Sequence, residues 1–87
     1  MSIANKWNLP TFNIKYMEDL QLLIEVGAKI KKVRIGKKLS QNELAILCKF
    51  EKASMSRIEA GKTNVTLLTL YKISRALDVS IADLVTH

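Results

Sequence analysis

The chain has 87 residues, a net charge of +6 and 48% apolar residues, a balance that fits one small globular domain and excludes disordered, collagen-like and low-complexity classes. Cys48 is the only cysteine, so an intrachain disulfide and a cysteine-only metal site are excluded; His87 is the only histidine, so no histidine-based catalytic or zinc site and no cofactor are expected. No stretch approaches the roughly 18 apolar residues of a membrane span. The N-terminus carries no basic region followed by an apolar run, so a cytoplasmic protein is expected.

In chain order, residues 1–16 read as irregular, and Phe12, Ile14 and Tyr16 alternate as in a short strand. From Met17 the spacing turns helical: Leu20, Leu23 or Ile24, Ile30, Val33 and Leu39 can share a face, with Gly27 as a candidate break. This gives one long helix or two, ending near Lys38. Ser40 followed by Glu43 has capping-box spacing and opens a helix from Gln41 to about Cys48, with Leu44, Ala45 and Cys48 inside. Lys49–Glu51 form a tight turn. A third helix runs from about Lys52 to Ala60 with Met55 and Ile58 inward, and Gly61 supplies a left-handed stop. Thr66 caps a fourth helix, Leu67–Leu77, with Leu67, Leu70, Ile73 and Leu77 inward. Ser80 and Asp83 repeat the capping-box spacing for a short last helix ending near Val85. The fold class is all-α with five helices. Residues 1–24 form an N-terminal extension, partly irregular and then helical, and residues 25–87 form the domain proper.

Charge is concentrated in the middle of the chain. Lys29 to Lys62 hold ten basic residues against three acids, a segment charge of +7 that leaves −1 for the remainder. A basic side on a small domain points to a polyanion. Two short helices joined by a tight turn form a helix-turn-helix unit if they cross steeply, which requires a small residue at the crossing, and Ala45 occupies that place.

At these residues the sequence resembles the Cro/lambda-repressor-like (XRE-type) helix-turn-helix family. The family pattern appears as "SQNELA", a turn, and "SRIEAGK", with "LLTLYKISRALDVS" at the fourth helix, and the likeness runs from about Ile30 to Leu84. The resemblance implies that the third helix is a recognition helix lying in the major groove of double-stranded DNA. Its outward residues Lys52, Ala53, Ser56 and Arg57 are then the base-contacting candidates: Lys52 or Arg57 can donate to guanine, and Ala53 can meet a thymine methyl. Ser40, Gln41, Lys62, Thr63 and Asn64 match positions that approach the phosphate backbone. Glu59 sits in the last turn of its helix, where negative charge is unfavourable. The family pairs this glutamate with an arginine of the first helix, and Arg34 matches. Two positions depart from the family pattern. Lys49 stands where glycine is usual, and Glu51 stands where Ser, Thr or Asp usually caps the recognition helix.

Two functions follow. The first is a sequence-specific, non-enzymatic regulator that binds a palindromic operator as a homodimer. Its dimer contact is expected near the fourth and fifth helices, at Leu68, Tyr71, Val79, Ile81 and Val85. The alternative is an antitoxin-like or adaptor protein whose main partner is another protein, met through the apolar residues of the N-terminal extension: Trp7, Phe12, Ile14, Tyr16, Leu20, Leu22, Leu23 and Ile24.

Overall fold

Residues Leu9–Gly36 form one uninterrupted helix, α1. It is followed by α2 (Gln41–Cys48), α3 (Lys52–Glu59), α4 (Leu67–Leu77) and α5 (Ile81–Val85). The structure is a computed structural model that describes residues 9–85, with side chains from Met17 onward. Trp7 lies outside the described residues, as do the side chains of Phe12, Ile14 and Tyr16. The backbone at 12–16 is helical, not extended. Three alternating apolar residues are too short a pattern to specify a strand, and Pro10 falls in the first turn, where a missing N–H costs no intrahelical bond. The 24/25 boundary lies inside this helix.

Gly27 is not a break. A Cβ there would lie 2.4 Å from the Ile58 carbonyl oxygen and 2.7 Å from that of Glu59, so α1 and α3 meet backbone to backbone at this point. Only glycine permits that approach.

The core gathers Val26 and Ile30 of α1, Leu44, Ala45 and Cys48 of α2, Met55 and Ile58 of α3, Ile73 and Leu77 of α4, and Leu84 of α5. α3 packs on α1 and α2, α4 on α2, and α5 against α1 and α4. Ala45 is fully enclosed where α2 meets its neighbours. Burial pushes the Cys48 thiol up from its ordinary value, consistent with a core position and not with a reactive thiolate.

Several inward assignments change. Leu67 is 71% exposed, because the first turn of α4 projects beyond the core and only Leu70, Ile73 and Leu77 follow it inward. Leu20 and Ile24 stay exposed although α1 still has neighbours there: Ile24 lies against Gly61, and Leu20 lines a groove with Asn64. Val79 and Val85 pack partly against the core and are less available than the sequence implied.

Four helices end in the same way. Lys38, Lys49, Gly61 and Asp78 all have φ between 57° and 72°. The following residue's N–H then reaches back to a carbonyl near the end of the helix: Leu39 to Arg34, Phe50 to Ala45, Lys62 to Arg57 and Val79 to Ser74, at 2.8–3.1 Å. This wrap satisfies carbonyls that a helix end leaves open.

Candidate nucleic-acid interface

The site is built on α2 and α3. Ser40 Oγ accepts the Glu43 N–H at 3.0 Å, and the Glu43 carboxylate accepts the Ser40 N–H at 2.7 Å. These hydrogen bonds hold the Glu43 carboxyl below its ordinary value of 4.5.

α3 divides sharply by face. Met55, Ile58 and Glu59 are buried, whereas Lys52, Ala53, Ser56 and Arg57 are exposed. With eight residues and two apolar anchors, α3 is too short to hold itself in water, so tertiary contacts must fix it. Glu59 supplies the main one. Arg34 Nε donates to its Oε2 at 2.7 Å and Arg34 Nη2 to its Oε1 at 3.0 Å, a two-point contact between buried groups. Arg34 Nη1 also donates to the Leu39 carbonyl at 2.8 Å. Gln41 Nε2 donates to Glu59 Oε1 at 3.1 Å. One carboxylate thus ties together the end of α1, the start of α2 and the end of α3.

That network fixes where the outer face points. Arg57 approaches Ser54 Oγ at 3.5 Å and lines a shallow groove with Thr63, Asn64, Val65 and Thr69. Arg57 is therefore brought beside two of the phosphate candidates. Lys62 is exposed one residue past the left-handed Gly61. Gln41 is half-buried with its amide turned to Glu59, so its side chain braces α3. The sequence carries no signal for the buried Ser74, whose hydroxyl donates to the Tyr71 carbonyl within α4 at 2.7 Å. It also missed the left-handed Lys38, which turns Leu39 towards Arg34.

Among the described residues no helix is long and apolar enough to cross a membrane, and no group of His, Cys, Asp or Glu is placed to hold a metal ion.

Two short helices around a left-handed turn, the second clamped from behind and polar in front, define a helix-turn-helix DNA-binding domain. Residues 30–84 match the helix-turn-helix family model, and the chain belongs to the XRE-type helix-turn-helix family of transcription regulators, not to an enzyme family. It is 38% identical over 61 residues to the uncharacterized HTH-type transcriptional regulator y4dJ of Sinorhizobium fredii, covering 70% of this chain and 79% of that protein. It is 41% identical over 59 residues to the control protein C.BamHI of Bacillus amyloliquefaciens, covering 67% and 73%. Its fold is similar to that of the restriction-modification controller protein C.AhdI from Aeromonas hydrophila, with a TM-score of 0.70, 32% identity, and coverage of 71% of this chain and 94% of that one.

Proposed function

We propose that this regulator binds double-stranded DNA as a homodimer, reading a palindromic operator through the major groove in the manner of a controller protein. The observation that carries the reading is the division of α3: Lys52, Ala53, Ser56 and Arg57 are exposed on one face, while Glu59 on the other is locked to Arg34 and Gln41. A rigidly held helix with a cationic, small-residue outer face suits base edges in the major groove. Ser40, Gln41, Lys62, Thr63 and Asn64 flank it and take the phosphate-contacting role, Gln41 through its helix-start backbone. Residues 25–87 are the DNA-binding unit and residues 1–24 the extension, and the protein works in the cytoplasm with the DNA it reads.

A single recognition helix reads too few base pairs to find one site among many competitors, which favours a second copy. Leu68 and Tyr71 are exposed on α4, with Val79, Ile81 and Val85 half-buried beside them, and this is the surface for the two-fold pair. Two recognition helices then sit about 34 Å apart, one DNA turn.

The test is selection of bound DNA from a random pool. A palindromic motif is expected. Lys52→Ala and Arg57→Ala should each relax preference at particular base pairs, whereas Lys62→Ala should weaken all sequences alike and flatten the salt dependence. A motif left unchanged by both recognition-helix variants would remove those residues from the reading role.

A further inference from the structure

The long helix carries a second face that meets the DNA-binding site only at its edge, where Ile24 lies against Gly61 and Leu20 shares a groove with Asn64. Met17, Leu20, Ile24, Ala28, Lys31 and Ile35 recur three or four residues apart, which puts them on one side of α1. All six are exposed; Met17 is 65% and Ile35 56% accessible. This face lies beside the buried row of Val26, Ile30 and Arg34 and extends over about five helical turns. It is apolar at five of its six positions, an unusual run for an exposed helix face.

Its charge is asymmetric as well. Residues 17–25 contain Glu18, Asp19 and Glu25 and no base, while residues 28–35 contain Lys29, Lys31, Lys32 and the already paired Arg34 and no acid. A parallel pairing of two such helices would set acid on acid and lysine on lysine. An antiparallel pairing sets each acidic half against the other copy's basic half, with Met17 opposite Ile35 and Ile24 opposite the small Ala28 near the crossing.

We infer that α1 is a self-association surface, taking a second copy of this chain as an antiparallel helix partner. The apolar stripe supplies the attraction, and the charge pattern supplies the direction. The surface is separate from the α4–α5 face and does not rest on it.

Cysteine placement tests the register. In a Cys48→Ser background, Met17→Cys protein and Ile35→Cys protein, treated with a short bismaleimide, should cross-link to one another when mixed, and neither should cross-link to itself. The same result is expected with Leu68→Lys added, which removes the proposed α4–α5 pairing. Charge reversal tests the direction. Glu18→Lys with Asp19→Lys, or Lys31→Glu with Lys32→Glu, should each abolish the cross-link, and all four together should restore it. No cross-link in the mixture, as for a face reserved for a different protein, would overturn the inference. So would self-linking of Met17→Cys, which marks a parallel pair, or loss of the mixed link in the Leu68→Lys background.

Discussion

α2 and α3 have the same length, eight residues, and share one turn, yet they are held by opposite means. α2 is closed at both ends by its own neighbourhood: the Ser40–Glu43 box at the start and the left-handed Lys49 at the finish. α3 begins at Glu51, whose side chain makes no capping hydrogen bond, and its order comes from Met55, Ile58 and the Glu59 clamp. One helix is specified locally and the other by the fold around it. A helix proposed to read DNA benefits from this, because its outer residues are not needed to hold it in place.

The clamp is where the comparison breaks most easily. Arg34→Ala leaves a buried carboxylate with only Gln41, and removal of one partner of a buried pair costs roughly 3–5 kcal/mol. Lys31→Ala, at an exposed position, should change stability by no more than about 0.5 kcal/mol. Denaturant titration of both variants checks this, and equal midpoints would deny the clamp its role.

The caps sharpen the same contrast at a smaller scale. Ser40→Ala should cost about 1 kcal/mol, and Glu51→Ser should add a similar amount by giving α3 the cap it lacks. If Glu51→Ser brought no gain, the start of α3 would already be satisfied by other means.

These two outcomes also show what was legible in the sequence. Ser40 with Glu43, Thr66, and Ser80 with Asp83 announce helix starts because capping is local chemistry, and each makes its expected hydrogen bond in the structure. Glu59 was legible as a misfit, a carboxylate at the wrong end of a helix. Lys38 and Asp78 were not, because a left-handed stop is normally signalled by glycine and nothing local marks a lysine or aspartate for it. The helical start of α1 and the exposure of Leu67 were hidden for another reason. Both depend on where the rest of the domain ends, which spacing along one helix does not encode.

Lys49 separates the two helices and carries a strain that Gly61 does not. Its φ of 60° crowds a Cβ against the backbone. Lys49→Gly should therefore stabilise the domain by up to about 1 kcal/mol, while leaving α2 and α3 in place. A loss of stability on denaturation would show that the lysine side chain makes a compensating contact.

The smallest effect concerns the charge in the α2 cap. Hydrogen bonds from the Ser40 backbone and then its side chain hold the Glu43 carboxyl below 4.5, so the ionised form is favoured in the folded chain. A depressed carboxyl contributes stability that is complete above the unfolded value and is lost as pH falls through the folded one. Glu43→Gln keeps a side chain that can reach the Ser40 N–H but does not titrate. The stability difference between wild type and Glu43→Gln should hold steady near neutrality and shrink as pH drops below 4.5. Denaturation midpoints of both proteins across this acid range measure the effect. A difference equal at about pH 7 and about pH 3 would mean that the Glu43 charge contributes nothing to the cap, and that the locally specified helix depends on the Ser40 hydroxyl alone.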